Sequence, residues 1–340
     1  MTTTTTFLPL APDQAFAGFR KTAVQFECPV SEGDKTLEIT LEVARIFLSA
    51  EGEGTKLLLE ASNDGNLQMM RDVLSEQLKG YGVIPDWQGA KPAARPANQT
   101  LVTIDKVDRL SPSYMRVTMS GDQLARFGTG GFHFRLLFGP EGAGWPFVDE
   151  HGVTQWPGGT AAWHKPVYTT RNIETNGETA RIEFDVFRHE GGTVTEWCDQ
   201  VRPGTEMVIM GPGGSGKVNR AGWQGFIGDE TAVPVIKRFL ELLPEDTRGE
   251  AVLFVPERGD IQDLARPAGV SLRWVMREDG ETPLQALDKL PIPDADRYVF
   301  FAAEKVEALA ARAALLERGL DKSESIAATY WIAEKELAEA

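Results

Sequence analysis

The middle of this chain is rich in strand-forming residues, and in places apolar and polar side chains alternate. Ile182, Phe184 and Val186, for example, alternate with polar neighbours, and a period of two is typical of a β-strand with one buried face. About six such segments suit a small closed barrel, so the pattern predicts a six-stranded antiparallel β-barrel. The predicted strands are residues 101–107, 114–119, 133–138, 167–173, 180–187 and 206–210.

The pattern changes after Gly222, where apolar runs alternate with helical segments. Residues 223–243 predict a strand, a tight turn and a helix. Further strands are predicted at 252–255, 272–276, 298–302 and 328–332, with a helix over 306–318. This order predicts a doubly wound parallel sheet. Ligands of such a sheet bind at the carboxyl ends of the strands, here residues 228–231, 256–258 and 302–304.

The first hundred residues predict a smaller α+β module. Its strands are expected at 37–42, 44–50 and 55–61, followed by a helix over 64–79. Residues 86–99 are rich in Pro, Ala and Gly, which indicates a linker. The predicted domains are therefore an α+β module of unknown role over 1–96, a barrel over 97–218 and an α/β domain over 219–340.

Composition narrows the classes of protein that the chain can belong to. The net charge is −15 among 340 residues, and no basic block offsets it, which disfavours nucleic-acid binding. The two cysteines and four histidines lack metal-ligand spacing, so no metal site is expected. No 18-residue apolar run is present, and the start, MTTTTTFLPLAPDQ, is interpreted as a polar leader rather than a signal peptide. These features predict a cytoplasmic protein without membrane insertion.

Candidate chemistry begins at the segment VYTTR. The ring of Tyr168 can stack on an isoalloxazine, and Thr169 and Thr170 offer hydroxyl groups to flavin heteroatoms. Arg171 can pair with phosphate oxygens through its planar guanidinium. Taken alone, the segment is more typical of an ordinary strand that ends in a surface charge.

A second segment strengthens the flavin interpretation. Strand 180–187 leads through His189 to a turn at Gly191 and Gly192. The spacing from Thr193 to Glu196 fits a capping box, so a helix is predicted to begin at Thr193. Its free N–H groups and the adjacent glycines would favour a phosphate. His189 is either a further donor to phosphate or ribose, or a solvated side chain.

The segment GPGGSGKV at residues 211–218 has the glycine and lysine spacing of a phosphate-binding loop. However, Val218 follows Lys217, at a position where magnesium coordination needs a Ser or Thr hydroxyl. No helical pattern follows the segment. It is therefore interpreted as a glycine-rich crossover near the cofactor and not as a nucleoside-triphosphatase loop.

Six segments, in order, resemble the siderophore-interacting protein family of NAD(P)H-dependent ferric-siderophore reductases, within the ferredoxin-reductase superfamily. They are FHFRLLF (132–138), KPVYTTR (165–171), HEGGTVTEW (189–197), GPGG (211–214), GDETAVPVIKRFL (228–240) and YWIAEKE (330–336). The resemblance covers residues 99–333. It departs from the family before the tyrosine, where Lys165 and Pro166 stand in place of the usual arginine. The N-terminal module more loosely resembles a small α+β domain that is sometimes fused to this family.

The resemblance implies an FAD-binding barrel, an NAD(P)H-binding α/β domain and a ferric siderophore as substrate. Tyr168 and Thr169 are expected at the reacting ring. The residues implied in cofactor binding are Tyr168, Thr169, Thr170, Arg171, Phe187, His189, Gly191, Gly192, Thr193, Val194 and Thr195 for FAD, and Gly228, Asp229, Glu230 and Thr231 for NADH or NADPH. Arg135, Lys165 and Arg171 are candidates for a basic rim that meets an anionic ferric chelate.

Two alternatives remain open at this point. One is another enzyme of the same architecture, such as a free-flavin reductase or a reductase that takes electrons from ferredoxin. The other is a non-enzymatic siderophore-binding protein in which the N-terminal module captures the ligand. A purified protein that is colourless, and stays so after FAD is added, would favour the binder.

Overall fold

The computed structural model describes residues 1–214 and 216–333, and the chain forms two compact units. Unit 1 comprises residues 1–101, 135–166 and 207–211, and unit 2 comprises residues 102–134, 167–206 and those from 212 onward. The end of the predicted segment 330–336, from Glu334, lies outside the described residues. The three-domain division stays a prediction.

The elements fall into three groups along the chain. The first group is β1 (Thr2–Leu8), α1 (Pro12–Gln25), β2 (Val30–Gly33), β3 (Thr36–Thr40), β4 (Ala44–Glu51), β5 (Gly54–Ala61) and α2 (Asp64–Lys79). The second is β6 (Gln99–Arg109), β7 (Tyr114–Asp122), β8 (His133–Leu136), β9 (Phe147–Val148), β10 (Thr154–Gln155), β11 (Val167–Thr169), β12 (Asn172–Asn176), β13 (Thr179–Phe187), α3 (Thr193–Gln200) and β14 (Glu206–Gly213). The third is β15 (Trp223–Gly228), α4 (Val233–Leu242), β16 (Arg248–Val255), β17 (Gly269–Met276), α5 (Pro283–Lys289), β18 (Arg297–Glu304), α6 (Lys305–Glu317) and β19 (Ser325–Trp331).

Unit 1 begins with an antiparallel five-stranded sheet in the order β1-β5-β4-β3-β2. Helices α1 and α2 contribute Phe19 and Leu74 to the same core as Leu48 and Leu57 of the sheet. Helix α2 is capped at its start by Asn63, whose Oδ1 accepts from the Asn66 amide at 2.9 Å. The α+β character of this module was predicted correctly.

The interpretation of the first fourteen residues as a polar leader is wrong. Strand β1 pairs with β5 over its whole length, from Thr2 opposite Ala61 to Leu8 opposite Thr55. The threonines suit a strand because their β-branched side chains pack well on a pleated surface. Alternate side chains are buried, and Pro12 then occupies the first turn of α1, where its missing N–H costs little.

Residues 86–99 are also more ordered than a linker composition suggested. Trp87 is buried in the N-terminal core, and its indole nitrogen donates to Ser75 Oγ at 2.9 Å. The backbone amide of Gln88 donates to the Thr5 carbonyl at 2.9 Å. This segment therefore covers an edge of the five-stranded sheet.

The insertion over residues 139–164 packs within unit 1 as well. Trp163 is buried, donates to the Pro157 carbonyl at 2.9 Å, and has Trp145 and Trp156 against it. Asp72 of α2 accepts from both the amide and the hydroxyl of Thr154, at 2.8 and 2.7 Å. The tryptophans therefore hold this loop in place.

The second group forms a seven-stranded sheet in the order β11-β8-β14-β6-β7-β13-β12. The single strand predicted over 167–173 is two strands, because Thr170 donates its amide to Phe132 and Arg171 donates its amide to Glu183, each at 2.8 Å. Strands β11 and β12 are the two ends of the sheet order, yet only these two residues separate them. The sheet therefore curls into a barrel-like form, with seven strands rather than six.

The third group is a parallel sheet in the order β17-β16-β15-β18-β19. Phe226 and Ile236 belong to the core on one face, whereas Ile227 and Leu315 belong to the core on the other. Since β16 and β18 flank β15 on opposite sides, the chain reverses direction across the sheet at β15. The doubly wound prediction is correct, and its switch point lies at the end of β15.

Candidate functional site

The flavin motif comprises β11 and the two residues after it, and lies in unit 2. Its side chains differ from one another in burial and in hydrogen bonding. Tyr168 is half-buried, with its ring 5.2 Å from that of Phe184. Burial, followed by the nearby Cys198, raises the pKa of Tyr168 well above its ordinary value. The phenol therefore stays protonated at neutral pH and presents a neutral aromatic face, which suits stacking against a flavin ring.

Thr169 and Thr170 are both buried. The Thr169 hydroxyl lies 3.3 Å from Nδ1 of His133. The Thr170 hydroxyl is fully buried and has no hydrogen-bond partner among the described residues. A buried hydroxyl without a partner costs free energy, which is typical of a site whose ligand supplies the missing contact.

Arg171 was expected to bind phosphate, but its terminal nitrogens already have a partner. They donate to the two carboxylate oxygens of Glu241 in α4, at 3.0 and 2.6 Å. Its Nε is buried and has no partner within residues 1–214 and 216–333. Arg238 donates to the carbonyl oxygens of Thr170 at 3.0 Å and of Arg171 at 3.4 Å. A phosphate at Arg171 must therefore compete with Glu241.

The turn that follows β13 leads into α3. Helix α3 begins at Thr193, as predicted, but the capping box is wrong, because Gly192 is the N-cap residue and no side chain caps the helix. Thr195 Oγ1 instead accepts from the His189 amide at 3.2 Å. Gly191 has φ of +71°, a conformation that favours glycine, and the space where its Cβ would lie is open.

The remaining predicted residues of this turn have packing roles or exposed positions. The Phe187 ring stacks on His189 at 6.4 Å, Val194 is buried, and Thr193 is exposed. The exposed Gly191 and a helix start that no described side chain caps fit a pyrophosphate, since an anion can approach the backbone N–H groups there.

The turn predicted to bind the nicotinamide nucleotide follows β15. Its polar side chains are already hydrogen-bonded within the protein. Asp229 is fully buried, and its carboxylate accepts from the Thr231 amide at 2.9 Å, the Thr231 hydroxyl at 2.6 Å and the Trp331 indole at 2.6 Å. Glu230 accepts from Arg277, with the shortest contact 2.7 Å. Tyr114 donates its hydroxyl to the Glu230 carbonyl at 2.7 Å.

Arg135 and Lys165, two of the proposed substrate residues, lie in unit 1. The Arg135 guanidinium is exposed and donates to the Lys165 carbonyl at 2.9 Å. Lys165 Nζ lies 4.8 Å from the centre of the Trp156 ring. Burial and then the charge of Arg135 lower the pKa of Lys165. Within residues 1–214 and 216–333, neither cation forms an ion pair with a carboxylate, so both are available to an anion.

Several residues at the site had no signal in the sequence. His133, Arg238, Arg277 and Trp331 each contact a predicted residue, yet they are 36 to 102 positions away along the chain. Only the fold brings them together. Three of them, His133, Arg238 and Trp331, lie inside segments that carried the family resemblance, and this was the available hint.

Two features are absent from the described residues. No group of three or more His, Cys, Asp or Glu side chains there is arranged to hold a metal ion. No helix within residues 1–214 and 216–333 is long and apolar enough to cross a membrane.

Comparison with known proteins gives two matching family models. The siderophore-interacting FAD-binding domain matches residues 103–216, and the siderophore-interacting protein model matches residues 221–334. Together they cover both predicted nucleotide-binding regions. Neither model extends to residues 1–102.

Individual relatives agree with the family models. Ferric vibriobactin reductase ViuB of Vibrio cholerae is 28% identical over 239 residues, which cover 65% of this chain and 85% of that protein. NADPH-dependent ferric-chelate reductase of Escherichia coli is also 28% identical over 239 residues, covering 68% and 91%. The crystal structure of the siderophore-interacting protein SipS from Aeromonas hydrophila matches with a TM-score of 0.58 and 28% identity, covering 71% of this chain and 95% of that one.

Proposed function

The chain belongs to the siderophore-interacting protein family, and we propose that it is an FAD-containing, NAD(P)H-dependent reductase of ferric siderophores. The observation that carries the proposal is the junction of β11 and β12. It combines the aromatic ring of Tyr168, which packs against Phe184, with the buried hydroxyl of Thr170, which has no hydrogen-bond partner among the described residues. The two relatives named as ferric reductases support the same reaction.

FAD supplies the chemistry that joins a two-electron nicotinamide donor to Fe(III), which accepts one electron at a time. The protein's contribution is positioning. Tyr168 presents its ring to the flavin, Thr169 presents a hydroxyl, and the start of α3 binds the pyrophosphate. The turn from Gly228 to Thr231 would receive the nicotinamide nucleotide at the switch point of the parallel sheet.

Ferric siderophores are the proposed substrates. Hard oxygen ligands hold Fe(III) more tightly than Fe(II), so reduction loosens the iron from its carrier. Arg135 and Lys165 would attract an anionic ferric chelate, because no carboxylate within the described residues neutralises them. Their proximity in unit 1 supports a shared role in substrate binding.

The cytoplasm is the proposed location, because NAD(P)H is available there. We keep ferredoxin as an alternative electron donor. A protein whose flavin is reduced by ferredoxin but by neither NADH nor NADPH would support that alternative and overturn the nicotinamide assignment.

One experiment tests the proposal directly. The purified protein should show a flavin absorption spectrum, which anaerobic NADH or NADPH should bleach. Addition of a ferric siderophore should restore the oxidised spectrum, while a ferrous chelator reports Fe(II). If free flavins reoxidise the protein and ferric chelates do not, the free-flavin reductase alternative is correct. A protein that stays colourless after addition of FAD would favour the siderophore-binding alternative.

A further inference from the structure

His133, the first residue of β8, is enclosed by three parts of unit 2. Its Nδ1 lies 3.3 Å from the hydroxyl of Thr169, in the flavin motif. The edge of its ring meets Tyr330 near the end of β19, with centroids 6.2 Å apart and planes at 83°. Gly214 closes a third side, because a Cβ there would come within 2.8 Å of His133 Cδ2.

This enclosure fixes the orientation of the imidazole ring. Gly214 has φ of +71°, so its conformation and the close approach of His133 both favour glycine at this position. Burial lowers the pKa of His133, although a backbone hydrogen bond at Tyr168 acts in the opposite direction. The imidazole is therefore neutral at neutral pH, with one nitrogen that donates and one that accepts.

A neutral imidazole beside a hydroxyl determines where the hydroxyl hydrogen points. If the nitrogen accepts, the hydrogen of Thr169 points at His133 and the oxygen offers a lone pair elsewhere. If the nitrogen donates, the oxygen accepts and its own hydrogen is free to point elsewhere. In both cases His133 selects whether Thr169 acts as donor or acceptor toward a third group.

In the proposed function, that third group is a nitrogen of the flavin ring. Hydride transfer from a nicotinamide adds two electrons and a proton to one nitrogen of the flavin ring, and this nitrogen changes from an acceptor to an N–H donor. A neighbouring hydroxyl therefore favours one redox state over the other according to its direction. The effect is measurable as the redox potential of the bound FAD.

We propose that His133 is a positioning residue that sets the direction of the Thr169 hydroxyl toward the flavin and thereby tunes the redox potential. The proposal rests on the proposed function. His133 does not transfer electrons and forms no covalent bond. Its role is to orient Thr169, which would itself contact the cofactor.

The test is a double-mutant cycle on the midpoint potential of bound FAD, measured by equilibration with a reference dye. His133→Phe retains a ring against Tyr330 and Gly214 but removes both nitrogens. We expect it to change the ratio of the dissociation constants for oxidised and reduced FAD by about tenfold, which is a shift of about 30 mV for a two-electron couple. In a Thr169→Val background the same substitution should shift the potential little, because the hydroxyl that it orients is absent.

Two further variants separate orientation from packing. His133→Asn places a polar atom near the position of Nδ1 and should restore most of the wild-type potential. His164→Gln changes another histidine, in unit 1, and should leave the potential unchanged. FAD content and the thermal unfolding midpoint confirm that each variant is folded, and His133→Gln replaces His133→Phe if the latter does not fold.

The outcomes distinguish this inference from the proposed function. A wild-type potential in His133→Phe, or an equal shift in the Thr169→Val background, would overturn the role of His133 alone. A wild-type protein that binds no FAD would overturn the proposed function and, with it, this inference.

Discussion

The turn before α3 and the turn before α4 each lead from a strand of unit 2 into a helix, but their polar groups are satisfied in different ways. The first has an exposed Gly191 and, among the described residues, no capping side chain. The second has a fully buried Asp229, which accepts three hydrogen bonds from Thr231 and Trp331.

This difference implies different ligand groups at the two helices. A phosphate can approach the first N–H groups of α3 because no side chain occupies them. At the turn before α4, the Asp229 carboxylate already accepts three hydrogen bonds, and its charge would repel an incoming anion. We therefore expect the flavin pyrophosphate at α3, and neutral groups such as ribose hydroxyls at the turn before α4.

The largest effect is expected from removing the Asp229 carboxylate, which accepts three hydrogen bonds at the turn before α4. Asp229→Ala leaves three donors without an acceptor, two of them on Thr231, and should lower the free energy of unfolding by about 3 kcal/mol. Urea unfolding followed by circular dichroism measures the loss. Asp229→Asn, which retains one acceptor oxygen, should lose less. If Asp229→Ala lowers the free energy of unfolding by less than about 1 kcal/mol, the hydrogen bonds to Asp229 do not stabilise the turn.

The next effect concerns the flavin motif. Arg171→Ala should weaken FAD binding by about 1.5–3 kcal/mol, the scale of a charge-assisted hydrogen bond, without unfolding the protein. Glu241→Gln removes the competing carboxylate and should strengthen FAD binding. Both are measured by FAD titration of the apoprotein, with Arg181→Ala as an exposed control. Unchanged FAD affinity in Arg171→Ala would assign Arg171 to the ion pair with Glu241 alone.

More of the fold than of the contacts within the site could be predicted from the sequence. Apolar runs separated by helical segments located β15, β16 and β18 because buried parallel strands require continuous apolar side chains. Strand β1 was missed because threonine is polar in composition yet favours strands in conformation. The motif around Tyr168 was visible because its residues are adjacent in the chain.

Contacts made across the fold were not visible. Glu241 neutralises Arg171 from 70 residues away, and Trp331 donates to Asp229 from 102 residues away. No local pattern encodes such pairs, because the fold brings α4 to the barrel-like sheet and β19 to the turn after β15. This is why Arg171 was predicted to be free for phosphate.

A matched pair of substitutions sharpens the comparison between the two turns. Thr231→Val removes a hydroxyl bonded to Asp229 and should slow reduction by NAD(P)H by about 1 kcal/mol in the activation barrier, roughly fivefold, while FAD content stays unchanged. Thr195→Val removes the acceptor of the His189 amide and should instead lower FAD content. Stopped-flow reduction and the flavin-to-protein absorbance ratio measure the two effects. Reduction of Thr231→Val at the wild-type rate would exclude the turn before α4 from nicotinamide binding.

The smallest expected effect is a pH dependence of stability. It comes from His133, which is enclosed although it lies beside the flavin motif, and so it limits the contrast between an open flavin site and a closed nicotinamide turn. Burial lowers the pKa of His133 from its ordinary 6.5, so the unfolded chain binds a proton in a range where the folded chain does not. The free energy of unfolding should therefore fall as the pH drops below about 6.5. His133→Asn should flatten that slope in urea unfolding between about pH 7 and about pH 5. Parallel curves for wild type and His133→Asn would show that His133 titrates alike in the folded and unfolded states.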